Sequence, residues 1–149
     1  MPGKIVPNII NDQTLHTLRP DSSVHEAAKL MAAKHISAVL ITENNHLVGI
    51  VTERDMTAKV LANAMDPDAT LLSAVMTPDP DVLSPNDTSL DALELMRKRG
   101  YRHLPIVDGD RIVGIISIRD LYAKAKEELE EDVRQREAFI FDTGYGAGA

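Results

Sequence analysis

The sequence contains no cysteine and no tryptophan, and aromatic residues make up only 3% of it. The absence of cysteine excludes disulfide bonds, thiolate metal sites and cysteine nucleophiles, and it is typical of proteins in a reducing compartment. The scarcity of aromatic side chains disfavours a stacking platform for nucleic acid. Stability must therefore come from a packed core, which a chain of 149 residues is long enough to form.

Long apolar runs and a basic surplus are also missing. The first ten residues lack the apolar segment of a signal peptide, and no stretch approaches the ~20 apolar residues of a membrane span. The formal net charge is −7, whereas binding to a nucleic-acid backbone needs a basic surface. These features predict a soluble, cytoplasmic protein that binds neither nucleic acid nor a membrane.

The motifs of the common catalytic centres are absent from the sequence. The five histidines show no metal-ligand spacing, so no metal is expected. The sequence has no phosphate-binding loop and no nucleophile elbow. The chain is therefore predicted not to be an enzyme.

What the sequence does contain is a seven-residue stretch that occurs twice. Gly49–Asp55 reads GIVTERD, and Gly114–Asp120, sixty-five residues later, reads GIISIRD. The surrounding residues align without a gap, with Leu18–Lys59 matching Leu83–Lys124. A match at one offset over this length indicates a tandem repeat of one supersecondary unit.

Each copy predicts the same series of elements. Ser23 and Glu26 form a capping box before an amphipathic helix, and Thr88 and Asp91 occupy the same positions in the second copy. A β-hairpin and a further helix follow. The order β-α-β-β-α, in which the first strand is predicted at Thr14–Leu18, indicates an α/β fold of two repeats packed with pseudo-two-fold symmetry.

The sequence also predicts how the chain is divided. The predicted parts are an N-terminal segment (1–13), repeat one (14–65), a linker (66–74), repeat two (75–126), and a C-terminal helical extension with a flexible tail (127–149). The extension has only a thin apolar stripe, which includes Leu129 and Val133. A solvated or dimer-flanking helix fits this pattern better than a coiled coil does, because sustained heptads are lacking.

The repeated stretch brings a hydroxyl and a carboxylate to a junction between a strand and a helix. Thr52 and Asp55 occupy it in the first copy, and Ser117 and Asp120 in the second. The carboxylate suits a ribose diol, which has two hydrogen-bond donors. The same pair is also an ordinary helix cap, which is the simpler interpretation of a single copy. Two copies in equivalent contexts favour a ligand site.

Other residues of the stretch also have two interpretations. Arg54 and Arg119 can pair with a phosphate or form surface ion pairs. Gly49 and Gly114 can leave room for a planar group or a neighbouring backbone, or can simply relieve packing.

The pattern Gly-apolar-x-Thr/Ser-x-x-Asp that closes each copy resembles that of a tandem cystathionine β-synthase (CBS) domain pair, the Bateman module. Val75–Pro78 resembles the family's usual beginning of a repeat, and Arg102–Asp108 resembles its central strand. The resemblance covers about Thr14–Lys126. It implies a regulatory sensor that binds adenosine-containing ligands between the repeats and signals to an unidentified target protein. AMP, ADP and ATP are the implied ligands, with NAD or S-adenosylmethionine as further members of the class.

The resemblance also implies site residues. In the family the motif carboxylate holds the ribose hydroxyls and the hydroxyl residue lies near the phosphate, which assigns Asp55 with Thr52 and Asp120 with Ser117. The residues expected to contact the base or the phosphate are Ile36, Ser37, Ala38, Arg54, Tyr101, Arg102, His103, Pro105 and Arg119.

The two copies differ where the central strand begins. Repeat two has Arg102 and His103 at the positions that Ser37 and Ala38 occupy in repeat one. A phosphate needs cations nearby. Repeat two is therefore expected to contribute most of the phosphate contacts, unless Arg102 and His103 are simply solvated.

The family commonly dimerises into a flat disc, so a homodimer is expected. The helix faces Met56/Val60 and Leu121/Ala125 are the predicted contact surfaces. The alternative function is a ligand-independent dimerisation or scaffold module.

Overall fold

The computed structural model describes residues 3–142. The first half contains a helical turn α1 (Ile5–Asn8), β1 (Thr17–Leu18), α2 (Val24–Lys34), β2 (Ala38–Glu43), β3 (His46–Thr52) and α3 (Glu53–Asp55), which continues as a π-helix (Met56–Leu61). The second half contains α4 (Leu72–Val75), β4 (Thr77–Pro78), α5 (Ser89–Arg99), β5 (His103–Asp108), β6 (Arg111–Ser117) and α6 (Ile118–Asp142). The flexible tail that was predicted at the end of the 127–149 extension lies, from residue 143 onward, outside the described residues. None of the helices within 3–142 is long and apolar enough to cross a membrane.

The two halves form matching antiparallel hairpins. β2 pairs with β3, and β5 pairs with β6, in equivalent registers. β1 runs parallel to β2 through the pair Leu18 and Ile41, and a parallel bridge between Leu83 and Ile106 repeats this contact in the second half. The predicted α/β fold of two β-α-β-β-α repeats followed by a C-terminal helix is confirmed. The first strand is shorter than predicted, since only Thr17–Leu18 pairs.

The long helix of each repeat begins and ends at equivalent positions. At the start of α2 the Ser23 hydroxyl accepts a hydrogen bond from the Glu26 N–H at 3.1 Å, which is one half of the predicted capping box. At the start of α5, Thr88 and Asp91 form both halves of the box. α2 ends at His35 and α5 at Gly100, and both residues adopt the left-handed conformation that ends many helices. The long helices of the two repeats therefore have equivalent boundaries.

Each repeat completes its core with a segment from the other half of the chain. Leu72 and Val75 of α4 are buried among the apolar residues of the first repeat. Ile5 and Ile10 are buried in the core of the second repeat. The order of segments along the sequence therefore differs from their arrangement in space. A third apolar cluster, centred on Leu40, packs between the two hairpins and joins the repeats.

Two of the four residues predicted to form the dimer surface, Val60 and Leu121, belong to the core of the single chain. Val60 is only 2% exposed and packs in the core of the first repeat, and Leu121 is 4% exposed and packs in that of the second. Both residues lie on the helix side that faces the sheet, as the apolar periodicity of a helix on a sheet requires. Leu61, the next residue along the helix from Val60, is 72% exposed.

Candidate functional site

Two cavities lie along the boundary between the repeats. The first cleft has a volume of about 1060 Å³ and contains Asp55 in its wall. The second cleft has a volume of about 430 Å³ and contains Asp120. The residues that line both cavities are His35, Ile36, Ser37, His103, Ser117 and Arg119. The two clefts therefore share a wall.

The structure brings nearly all the predicted site residues to these cavities. The predicted residues in the first cleft are Ile36, Ser37, Thr52, Arg54, Asp55, Tyr101, Arg102, His103, Ser117 and Arg119. Those in the second cleft are Ile36, Ser37, Ala38, His103, Ser117, Arg119 and Asp120. Each cleft thus combines residues of both repeats, and Arg102 and Tyr101 face the cavity of Asp55 rather than that of Asp120.

Pro105 is the predicted residue that the structure leaves outside both clefts. Its side chain is fully buried. It lies opposite Ile115 in the middle of the β5–β6 hairpin, and its carbonyl accepts a hydrogen bond from the Leu83 N–H at 2.9 Å. Its position within the strand pair, and not beside the cavity, explains why it has no part in the site.

Thr52 and Asp55 form a reciprocal capping box at the junction of β3 and α3. The carboxylate Oδ2 of Asp55 accepts from the Thr52 N–H at 2.9 Å and from the Thr52 hydroxyl at 3.3 Å. The Thr52 hydroxyl in turn accepts from the Asp55 N–H at 3.4 Å. The capping interpretation is therefore correct. It leaves room for a ligand as well, because an ionised carboxylate offers about four acceptor sites.

Ser117 and Asp120 repeat this geometry at the junction of β6 and α6. Oδ2 of Asp120 accepts from the Ser117 N–H at 2.8 Å and from the Ser117 hydroxyl at 3.0 Å. The Ser117 hydroxyl accepts from the Asp120 N–H at 3.2 Å. All contacts to the carboxylate use Oδ2. Among the described residues, Oδ1 of Asp120 has no hydrogen-bond partner, so it can accept from a ligand hydroxyl.

A lysine distinguishes the two junctions. Lys59 Nζ lies 3.1 Å from Oδ1 of Asp55 and donates to the Val75 carbonyl at 2.7 Å. Its counterpart Lys124 lies 3.7 Å from a carboxylate oxygen of Glu127 instead. A ligand hydroxyl at Asp55 must therefore share the carboxylate with an ammonium group, whereas Asp120 has no such neighbour among the described side chains.

The shared wall contains a hydrogen bond between the repeats. Ser37 Oγ and His103 Nε2 are 2.9 Å apart. Burial lowers the pKa of His103 from its ordinary value, and the neighbouring Arg102 lowers that pKa further. Asp120 and Glu53 oppose the shift by stabilising the imidazolium. Burial therefore favours the neutral form of His103, whereas an added anion would favour its charged form.

Three arginines give the first cleft an anion-binding character. Arg54, Arg102 and Arg119 line it, and none of them has a carboxylate oxygen within 4 Å among the described side chains. Arg99 also lines this cleft, but it is paired with Asp81 at 3.3 Å. Of these arginines only Arg119 reaches the second cleft. Guanidinium groups without carboxylate partners are suited to bind phosphate.

Residues that precede the first paired strand of each repeat also line the clefts, and they were not predicted from the sequence. Gln13–His16 line the second cleft, although three of these residues were predicted to be in a strand. Thr77, Pro80 and Asp81 line the first. The sixty-five-residue offset relates Leu15 to Pro80 and His16 to Asp81, so these segments are equivalent parts of the two repeats.

Gly49 and Gly114, the glycines of the repeated stretch, each lie against a segment from the other half of the chain. A side chain at Gly49 would collide with Met76 and approach the Thr77 carbonyl, and one at Gly114 would collide with the amide of Gln13. In the first repeat β4 pairs with β3 through Gly49 and Ile50. In the second, the Gln13 side chain takes that role: its Nε2 donates to the Ile115 carbonyl at 3.1 Å, and its Oε1 accepts from the Ile115 N–H at 2.7 Å. The neighbouring-backbone interpretation is therefore correct for Gly49.

Sequence comparison finds the same repeats. The model of the CBS domain family matches residues 8–62 and 72–127. The CBS domain-containing protein CBSCBSPB2 of Arabidopsis thaliana is 32% identical over 136 residues, which are 89% of this chain and 25% of that protein. The chain thus spans about a quarter of the length of this relative. The CBS domain-containing protein YhcV of Bacillus subtilis is 35% identical over 105 residues, which cover 70% of this chain and 74% of that protein.

Solved structures share the architecture. The CBS-domain containing protein ATU1752 from Agrobacterium tumefaciens is 32% identical, has a TM-score of 0.71, and matches over 76% of this chain and 85% of that one. CBSX2, solved in complex with AMP, is 25% identical, with a TM-score of 0.70 over 84% of this chain and 97% of that one. The two matched domains and the shared architecture lead to one conclusion: this chain belongs to the CBS domain family and carries two CBS domains in tandem.

Proposed function

We propose that this chain is a regulatory module that binds an adenosine-containing ligand in its clefts and signals to a separate protein. The observation that carries the proposal is one hydroxyl–carboxylate pair that recurs beside a cavity in each repeat, as Thr52 with Asp55 and as Ser117 with Asp120. The AMP complex of the similar CBSX2 supports an adenine nucleotide as the ligand. AMP, ADP and ATP are the first candidates for the ligand. NAD and S-adenosylmethionine are further candidates, because they carry the same ribose diol.

In the proposed complex the carboxylates of Asp55 and Asp120 accept hydrogen bonds from the ribose hydroxyls. Each retains its Oδ2 contacts to the capping box while it does so. Thr52 and Ser117 lie at the helix N-termini, where the dipole favours the negative charge of a phosphate. The protein holds such a ligand without a metal ion.

The remaining proposed contacts differ between the clefts. Ile36, Ser37 and Tyr101 contact the base or the sugar in the first cleft, and Ala38 takes this role in the second. Arg54, Arg102, Arg119 and His103 contact the phosphates. The larger volume and the three arginines, none of which pairs with a carboxylate in residues 3–142, favour the first cleft for a chain of several phosphates.

The proposed output is a change of shape or of affinity for a target protein, not a chemical reaction. A ligand shifts such an equilibrium only by the difference between its affinities for the two states. In the proposed mechanism a ligand in either cleft affects both repeats, because Ser37 and His103, which are hydrogen-bonded to each other, line both cavities. The proposed assembly is a homodimer.

Isothermal titration calorimetry with AMP, ATP and NAD tests the proposal. We expect binding of at least one of them, and its loss in the double variant Asp55→Ala/Asp120→Ala. Asp91→Ala is the matched control, since it removes an equivalent capping box that lines neither cavity. Absence of both heat and thermal stabilisation with all three nucleotides would instead favour the ligand-independent scaffold.

A further inference from the structure

The C-terminal part of α6 protrudes from the body of the protein. Leu121 is buried in the core of the second repeat, but every residue from 125 to 140 is exposed. Isolated helices of about 12–15 residues are only marginally stable in water, and most helical stability in proteins comes from packing of an apolar face. A helix of this length with an exposed apolar side is therefore expected to gain stability from packing against a further surface.

One side of the protruding helix is apolar. Leu129 and Val133, which are 67% and 53% exposed, lie one turn apart, and Ile140, 42% exposed, lies two turns further along the same face. Lys126, one turn before Leu129, and Arg136, between Val133 and Ile140, lie on the same face at helical spacing. Their aliphatic stems can cover apolar surface while their charges stay in water. We call these five residues the α6 stripe.

The charges beside the α6 stripe favour one orientation of a self-paired helix. The acidic block 127–132 contains five carboxylates and no cation, and the next turn contains Arg134 and Arg136. A parallel pair would set the two acidic blocks side by side. An antiparallel pair that crosses at Val133 instead brings Glu130 of one copy beside Arg136 of the other, and Asp132 beside Arg134. Flanking charges of this kind determine orientation in paired helices.

We propose that the α6 stripe is a self-association surface, which pairs with the α6 stripe of a second copy in antiparallel orientation with its crossing at Val133. This inference rests on the proposed homodimer and gives it a surface, because Val60 and Leu121 are buried within the chain. The Arg134–Glu131 pair within the helix does not oppose it, since exposed ion pairs of this type contribute little to stability.

Sedimentation analysis of the full chain tests the surface. We expect a dimer for the wild type, a monomer for Leu129→Glu/Val133→Glu, and a dimer for Ala138→Glu on the opposite side of the helix. A double variant that stays dimeric would show that the α6 stripe is not the self-association surface, and it would leave the proposed homodimer intact. A wild type that is monomeric at tens of micromolar would overturn both. Nucleotide titrations of the same variants separate either result from the proposed ligand binding.

The absence of native cysteine makes the orientation directly measurable. Under mild oxidation Val133→Cys is expected to form a cross-linked dimer with itself. Lys126→Cys is expected to cross-link with Ile140→Cys in a mixture but not with itself, and Ala138→Cys serves as the control that does not cross-link. Efficient self-linking of Lys126→Cys together with Val133→Cys would show a parallel pair and would overturn the antiparallel arrangement.

Discussion

Ser37 Oγ lies 2.9 Å from His103 Nε2, and this hydrogen bond joins the two repeats at the wall between the clefts. Both side chains line both cavities. A phosphate bound near His103 in either cleft therefore acts on a group that the other cleft also contains.

The protonation of His103 makes stability depend on pH. Burial, with a smaller contribution from Arg102, keeps the pKa of His103 below the ordinary value of 6.5. The unfolded chain thus binds more protons than the folded chain in this range, so stability rises with pH there. The contribution of the neutral histidine is complete above the unfolded pKa and is lost as the pH falls through the folded pKa.

We expect acidification from about pH 7.5 to about pH 5 to lower the free energy of unfolding, and His103→Gln to reduce this dependence. Urea denaturation at several pH values measures it. His46→Gln, at an exposed position beside the β2–β3 turn, is the control and should keep the wild-type dependence. An equal dependence in wild type and His103→Gln would contradict the prediction.

Asp55→Ala separates the two roles of the capping box. The variant loses the cap of α3 and the Lys59 ion pair, for which a loss of about 1 kcal/mol of stability is expected. Asp91→Ala loses an equivalent box, with a Thr88 N–H to Asp91 Oδ2 distance of 2.9 Å, and should be destabilised to a similar degree. Only Asp55→Ala should weaken nucleotide binding in calorimetry. Equal nucleotide affinities in the two variants would show that Asp55 only caps the helix and does not bind the ligand.

Arg102→Ala tests the phosphate contacts of the first cleft. Loss of one charge-assisted contact is expected to weaken ATP binding by about tenfold, which corresponds to about 1.4 kcal/mol, and to leave adenosine binding unchanged. Titrations with adenosine, AMP and ATP measure this difference. Arg97→Ala, an exposed position on α5 that pairs with Glu94, is the control. Unchanged ATP affinity in Arg102→Ala would mean that this side chain is merely solvated.

Gln13→Glu tests the side chain that takes the place of a strand. A carboxylate cannot donate to the Ile115 carbonyl, so a half-buried acceptor is left unpaired beside a negative charge. We expect a loss of about 1–3 kcal/mol in the free energy of unfolding, measured by urea denaturation. Gln135→Glu on the exposed part of α6 should change stability by less than about 0.5 kcal/mol. A neutral effect of Gln13→Glu would show that the amide contacts do not stabilise the protein.

Much of the candidate site was predictable because its signals are local. The capping boxes at Thr52 and Ser117 lie within four residues of sequence, and the recurrence of the stretch marks both junctions. Pro105 was misassigned because being near the beginning of a central strand does not reveal which strand residues face a cavity. Val60 was misassigned as a contact surface because an apolar helix face looks the same whether it packs within one chain or between two.

The sequence by itself determined the tandem repeat, the order of its elements, the helix caps and the paired hydroxyl and carboxylate at each junction. These depend on hydrophobic period and on hydrogen bonds between residues a few positions apart. Tertiary structure alone decided that α1 and α4 complete the cores of opposite repeats, that Arg102 faces the cleft of Asp55, and that Ser37 meets His103. Gln13 and Ile115 are 102 residues apart, and their contact has no local signature. Such contacts form when the two folded repeats pack against each other, and no short stretch of sequence encodes that packing.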